Sequence, residues 1–311
     1  MTKLQVNVYK LPHVRTLFKR AYRLVLPGLN GASLYDVGKF FFLELKTLKL
    51  QERAAAVTYN FLMAMPPTFL FLFSLLPYLP FKNVDKTIFN VLKLITPNHN
   101  VYVTVRDIVA DFMAKQHSAG ALSYGIILVL FFSSNGVMGL MRCFDKSLSL
   151  YKTRSGFQRR WTAMKLTLML IGVIIITLTV MIFQSKDLNP IILTVFHSLA
   201  AVKILSGLIL TLLVFITISI IYTYGPSLTH KFKFVSAGSV GATLASVLTT
   251  SVFFFLVNNF LNYNKLYGSI GTLIAFMVWV WLNTIIILLG YELNVSILLG
   301  KLSRDNSDED E

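Results

Sequence analysis

Cysteine occurs once in the 311 residues, at Cys143. A lone thiol excludes both a disulfide framework and a thiolate metal cluster. The five histidines (His13, His99, His117, His197 and His230) are scattered. None pairs with another at the H-x-x-x-H or H-E-x-x-H spacing that sets two imidazoles on one helical face for a metal. Neither a phosphate-cradling P-loop nor a dinucleotide fingerprint is present, and no strand pattern is evident. Charge is scarce as well: 14% of the chain is charged and 55% hydrophobic, where soluble domains run at about 25% and about 45–50%. Together these absences exclude an ordinary soluble enzyme, so no catalytic residue, cofactor or metal site is expected.

The few charges that are there bound six charge-free windows. They run Ala54–Phe81, Gln116–Met141, Leu166–Ser185, Ile204–His230, Phe234–Asn264 and Leu266–Tyr291, and the shortest holds 20 residues. A bilayer core about 30 Å thick is crossed by roughly 20 apolar helical residues. The expected fold is therefore all-α, a polytopic six-transmembrane-helix bundle with spans at about 54–80, 118–141, 166–185, 204–225, 235–258 and 268–291. Buried helices of a soluble protein are shorter and amphipathic, and six uniformly apolar ones do not fit that description.

The sign of the charge orients these spans. Of the 29 Lys and Arg, 21 fall on the side that holds both termini and eight on the other. Because basic residues are retained in the cytoplasm, both termini are expected inside. The first long apolar run begins near residue 54, too late and too long for a cleaved signal segment.

Residues 1–35 form a basic segment, 36–300 the membrane domain and 301–311 a tail. Ser33 and Asp36 resemble a capping box. After them Val37, Phe41, Leu45 and Leu48 make an apolar stripe, with Lys39, Lys46 and Arg53 on another face. Such an amphipathic helix either lies in the interface against anionic headgroups or packs on the ends of the bundle. Beyond the first span, 81–120 reads as a helical outer loop, and 188–202 as a re-entrant or interfacial helix too short to span. The last seven residues hold five acids and no apolar side chain, which reads as a disordered cytoplasmic tail.

Within the spans ionisable groups nearly vanish. Glu292, at the end of the sixth, either serves structure at the membrane edge or relays protons. Uncharged polar residues recur at helical spacing. In the first span Asn60, Pro67 and Ser74 lie seven apart, and Pro66-Pro67 frees the carbonyls of Leu62 and Met63. Tyr124 and Asn135 in the second span are eleven apart, about 20° around the axis. Thr272, Asn283 and Asn294 repeat that spacing in the sixth. These residues either line a polar seam between the first, second and sixth spans or glue helices together. Gly238, Ala242, Ser246 and Thr250 form a small-residue ladder in the fifth span, a packing device. Arg154, Arg159 and Arg160 in the 142–165 loop are candidate contacts for anionic lipid. Tyr151, Phe157 and Trp161 between them would also suit nucleic acid, but topology and lipid explain the same residues more cheaply.

Two stretches carry a family resemblance. Tyr267-Gly268-Ser269-Ile270-Gly271, Trp279 and Gly290-Tyr291-Glu292-Leu293-Asn294 resemble the Y-G-S-x-G, mid-helix Trp and G-A-E-L-N pattern of the YihY/BrkB family of bacterial inner-membrane proteins. Ala54-Ala55-Ala56 through Tyr59 to Pro66, and Tyr224-Gly225-Pro226, support it. Tyr291 replaces a small residue, and Arg142–Ser149 departs from the family's Asn-and-Tyr pattern. The resemblance, over roughly 36–300, implies six spans, cytoplasmic termini and residence in the inner membrane. For function it implies a permease-like or lipid-handling role in envelope maintenance with no assigned substrate. The alternative is a non-transporting scaffold. An old ribonuclease label attaches to the family, but no paired carboxylates or metal cluster here would carry that chemistry.

Overall fold

A computed structural model describes residues 33–47, 49–75, 89, 102–103, 106–107, 110, 122–145, 151–183, 199–229, 231–259 and 269–309. Seven helices are named among them: α1 (Leu34–Thr47), α2 (Leu50–Leu75), α3 (Leu122–Phe144), α4 (Gly156–Phe183), α5 (Leu199–Tyr224), α6 (Ala237–Asn259) and α7 (Ser269–Glu309). No strand is formed by the described residues; one isolated antiparallel bridge joins Tyr151 and Leu228. Among the described residues the fold is all-α, as expected from the composition.

Local chemistry starts three of the helices. Ser33 Oγ accepts from the Asp36 amide at 3.1 Å and donates to its carboxylate at 2.7 Å, so the anticipated box caps α1. Ser155 and Gln158 form a reciprocal box at the start of α4, each side chain accepting from the other's amide. Ser236 and Ser239 do the same for α6. Inside the apolar helices hydroxyls turn back onto their own backbone. Thr58, Thr167, Thr243, Thr284 and Ser296 each donate to the carbonyl four residues earlier. That choice removes the desolvation cost of a hydroxyl without any partner on a neighbouring helix.

Four helices contain segments long and apolar enough to cross a membrane, by length and composition: Gly156–Thr177, Ile204–Tyr224, Ala237–Val257 and Ile274–Ser303. Each of α2 to α6 packs on the next along the chain, and α7 returns to α2, which closes a ring. α1 lies outside the ring on α7, with Val37 buried against Ile297 and Leu293. Phe42 and Leu43 of α1 stay exposed. The core gathers where α3 ends: Ala54, Val57, Leu140, Phe144, Ile218, Tyr222, Leu288, Tyr291 and Val295 pack together.

α6 has two unlike faces. Gly238, Ala242, Ser246 and Thr250 meet α7: Gly238 against Gly290, Ser246 Oγ on Asn283 Oδ1, and Thr250 Oγ1 accepting from Trp279 Nε1 at 3.1 Å. Val240, Leu244, Leu248 and Val252 point outward, with Leu248 65% exposed. Small and polar residues inward with bulky apolar ones outward is the inverse of a soluble helix, and suits a helix solvated by lipid.

Two expectations need correction. The sixth window stops at Tyr291 because Glu292 is charged, but the helix does not: α7 runs 41 residues to Glu309, roughly 60 Å at about 1.5 Å each. Glu292 is therefore deep within a helix and only 2% exposed. The tail over 301–309 is helical and not disordered, since no proline follows Gly300 to stop a helix already started. Most of the outer loop, the segment 186–198, residues 1–32 and Leu48 lie outside the described residues.

A methyl group added at Gly238 would overlap the Gly290 carbonyl, whereas Gly241 on the outer face has open space. Gly238→Ala is expected to cost about 1–3 kcal/mol by overpacking. Gly241→Ala is expected to be neutral or slightly stabilising. Thermal unfolding of the two purified variants in detergent, measured side by side, checks this.

Candidate functional site

The α3–α4 connection is fastened to the end of α5 and to the middle of α7 by partly buried polar groups. Arg154 donates Nη1 to the Gly225 carbonyl and Nη2 to the Pro226 carbonyl, both at 2.9 Å. Burial lowers its guanidinium pKa from the ordinary value, the charge of Asp145 opposing that drift. Asp145 Oδ1 accepts from both the amide and the hydroxyl of Ser227, and Oδ2 pairs with Arg159 at 3.3 Å. Tyr151 shares a 2.9 Å hydrogen bond with the hydroxyl of Tyr291, itself 0% exposed. Around Tyr291 stand the rings of Phe144, Tyr222 and Phe232, at centroid separations of 4.2 to 6.1 Å. Tyr222 donates to the Ile287 carbonyl at 2.6 Å. These contacts close one end of the ring.

The anticipated polar seam is distributed over three helix contacts. Between α2 and α3, Asn60 lies against Gly139, where an added methyl would stand 2.9 Å from its amide nitrogen. About two turns of α2 further on, Thr68 and Ser133 share a hydroxyl bond at 2.8 Å. Between α3 and α4, Asn135 Oδ1 accepts from Arg160 Nη1 at 2.8 Å. Between α6 and α7, Asn283 accepts from Ser246 and donates to the Trp279 carbonyl. Asn294 accepts from the Gly238 amide at 2.8 Å and donates to Ser236, so it caps α6 from across the interface. α2 continues as a helix through Pro66 and Pro67. Ser74, Tyr124 and Thr272 are helical, but their side chains, and that of Pro66, lie outside the described residues. Glu292 is buried as well.

The three arginines part company. Arg154 and Arg159 are spent within the protein, on carbonyls and on Asp145. Arg160 turns to α3 instead: Nη1 serves Phe131 O, Ser134 Oγ and Asn135 Oδ1, and the guanidinium lies 4.1 Å from the centroid of the Phe131 ring. Sequence reasoning missed Asp145, and missed the bond of Tyr151 to Tyr291, because Ser227 and Tyr291 are more than 80 residues away along the chain. The Ser155-x-x-Gln158 box was a local signal that could have been read. Among the described residues no three His, Cys, Asp or Glu are gathered to hold a metal.

A ring of apolar helices with lipid-like outer faces defines a membrane protein. The family model described as "Virulence factor BrkB" matches residues 41–310, and the chain belongs to that family. Among relatives, the "Putative ribonuclease-like protein YfkH" of Bacillus subtilis is 28% identical over 253 residues, 78% of this chain and 88% of its own length. A UPF0761 membrane protein of Haemophilus influenzae is 24% identical over 271 residues, covering 84% and 94%. Another from Mannheimia succiniciproducens is 22% identical over 267 residues, covering 81% and 86%. No solved structure matches the chain.

Replacing Arg154 by Gln removes two charge-assisted bonds. The expected loss is about 1–2 kcal/mol, together with faster trypsin cleavage at Lys152 in the freed connection. Asn294→Leu strips the cap from α6 and is expected to cost about 1–2 kcal/mol, read as a lower unfolding temperature without faster cleavage at Lys152.

Proposed function

We propose that this chain is a six-span protein of the bacterial inner membrane, with both termini cytoplasmic, that handles lipid or another amphiphile in a permease-like way in envelope maintenance. Six spans are supported by the ring. α2 and α3, of 26 and 23 residues, are wedged between α4 and α7, which carry two of the span-length segments, and they overlap the first two charge-free windows. The excess of basic residues on one side, 21 against eight, supports the orientation.

One observation carries the lipid-handling reading: the polar contacts of α2 with α3 and of α6 with α7 are not alike. Between α6 and α7 every named polar group is consumed by another across the interface. Between α2 and α3, Asn60 turns to its own Ala56 carbonyl in an exposed bond, and the flanking Tyr59, Phe61, Met63 and Phe132 are exposed. A polar line opening sideways between apolar rims is what a headgroup needs to enter from the bilayer while its chains stay in hydrocarbon. The consumed α6–α7 contact favours a second reading, a scaffold that transports nothing. The ribonuclease wording in the name of the Bacillus subtilis relative belongs to that protein, and the residues gathered here offer it no support.

In a Cys143→Ser background, Ser303→Cys is expected to react with an impermeant maleimide only after cells are opened. Val103→Cys is expected to react in spheroplasts, and the reverse pattern would overturn the orientation. For function, purified protein goes into vesicles of phosphatidylethanolamine and phosphatidylglycerol, and a headgroup-labelled lipid is followed between leaflets. Movement above the protein-free rate is expected, with Asn60→Leu slowing it about tenfold, a change of about 1.4 kcal/mol in barrier, at an unchanged unfolding temperature. Folded protein that moves none of a broad lipid panel favours the scaffold.

A further inference from the structure

Two lysines lie over aromatic side chains at one end of the helix ring. Lys165 Nζ is 5.4 Å from the centroid of the Trp161 indole, and Lys231 Nζ is 5.3 Å from that of the Tyr224 phenol. Both separations fall within the roughly 6 Å over which a cation is drawn to the negative face of an aromatic ring. The pairs come from neighbouring elements. Trp161 and Lys165 stand in the early turns of α4, and Tyr224 ends α5, with Lys231 in the connection to α6. Arg154 ties the two together through the carbonyls of Gly225 and Pro226, which follow Tyr224 directly.

Lys165 is the last charge before the apolar run Leu166–Ser185. Its side chain turns back over Trp161, one turn nearer the helix start, as a lysine at the edge of hydrocarbon does to keep its ammonium in a polar layer. Phe157, a further turn back on the same face, is 80% exposed, and Trp161, Phe234 and Val235 are exposed too. Amphipathic aromatics concentrate at the headgroup level of a bilayer. The charge beside them is of one sign. Residues 146–165 and 224–240 contain no acid, and Lys152, Lys165, Lys231 and Lys233 are all exposed. Arg160 is a contrast, because its aromatic contact comes with three acceptors on α3. Among the described residues neither Lys165 nor Lys231 makes a hydrogen bond or ion pair. An ammonium has three donors and no acceptor, so a ring beneath it leaves N–H groups for an anion.

We propose that Trp161 with Lys165, and Tyr224 with Lys231, are two seats for the phosphate of an anionic lipid, forming a collar that holds this end of the protein in the headgroup layer. The aromatic ring places each ammonium, and the ammonium donates to a phosphate oxygen. Phe157 and Phe234 rest against the lipid alongside. Four exposed lysines without an acid favour an anionic headgroup over a zwitterionic one. The collar rests on the membrane reading of the preceding section, in that this end must lie at a bilayer face. It does not require that any lipid be moved.

The test uses the full-length protein in detergent, with native mass spectrometry of retained phosphatidylglycerol against phosphatidylcholine. Preferential retention of phosphatidylglycerol is expected, and Lys165→Gln combined with Lys231→Gln should reduce the preference about tenfold. Both lysines are exposed, so this variant should fold. Lys152→Gln combined with Lys233→Gln removes the same charge from the same end, where no aromatic ring among the described residues lies beneath either lysine. That variant should reduce the preference by about twofold at most, since exposed charges act weakly through screening. Trp161→Leu keeps an apolar surface and should reproduce the loss caused by Lys165→Gln alone. Equal losses in the two double variants overturn the seats in favour of diffuse attraction. Undiminished preference in the Lys165, Lys231 variant overturns the collar altogether. Full displacement of phosphatidylglycerol by millimolar inorganic phosphate overturns the lipid assignment in favour of a soluble anion. Preference lost in that variant, with no lipid movement by wild-type vesicles, sustains the collar while removing transport.

Discussion

The backbone contact between Gly238 of α6 and Gly290 of α7 is the interaction on which the rest depends. With no side chain on either residue, the two helices meet closely enough for Asn294 to reach across and accept from the Gly238 amide at 2.8 Å. The same approach seats the Tyr222 hydroxyl beside Gly290, where an added methyl would stand 2.5 Å from it. α7 then also packs on α2 and α1, so this one contact sets where the longest helix stands. Tyr291 follows immediately, and with it the aromatic group that closes the end of the ring. In lipid, where apolar burial drives little association between helices, such close packing supplies what hydrophobicity supplies in water.

Polar chemistry is arranged around that framework in two ways. At α6–α7 donors and acceptors are matched across the interface, and at the α3–α4 connection charge is offset by Asp145 with Arg159 and by carbonyls facing Arg154, although among the described residues Asp145 Oδ2 and Arg159 Nε make no hydrogen bond. On the flank formed by α2, α3 and the start of α4, matching is incomplete. Asn60 bonds only its own helix, and among the described residues Arg160 hydrogen-bonds through Nη1 alone. A membrane protein tolerates incomplete matching where water or a headgroup completes it. Closure and openness lie on different sides of one small ring.

Much of the framework was legible in the sequence because hydrocarbon is an exacting solvent. Windows without charge located the helices, and the spacing Gly238, Ala242, Ser246, Thr250 marked a packing face that does meet a neighbour along all four residues. Glu292 shows where that logic stops: a charge ends a window but not a helix when the side chain is buried. Spacing of eleven placed Asn283 and Asn294 on one face, correctly, yet could not name α6 as the partner. For the same reason Asn60, Asn135 and Asn283 read as one seam although each meets a different helix. The fates of Arg154, Arg159 and Arg160 were invisible, since they depend on Gly225, Asp145 and Asn135, which only folding brings near.

Water access at the two polar contacts tests this division most directly. In membrane-embedded protein with Cys143→Ser, cysteines replacing Asn60 or Asn283 one at a time can be exposed to a small, charged, water-soluble thiosulfonate. One open and one sealed contact predicts reaction for Asn60→Cys and none for Asn283→Cys. Equal silence at both positions, or reaction at Asn283→Cys alone, would contradict it.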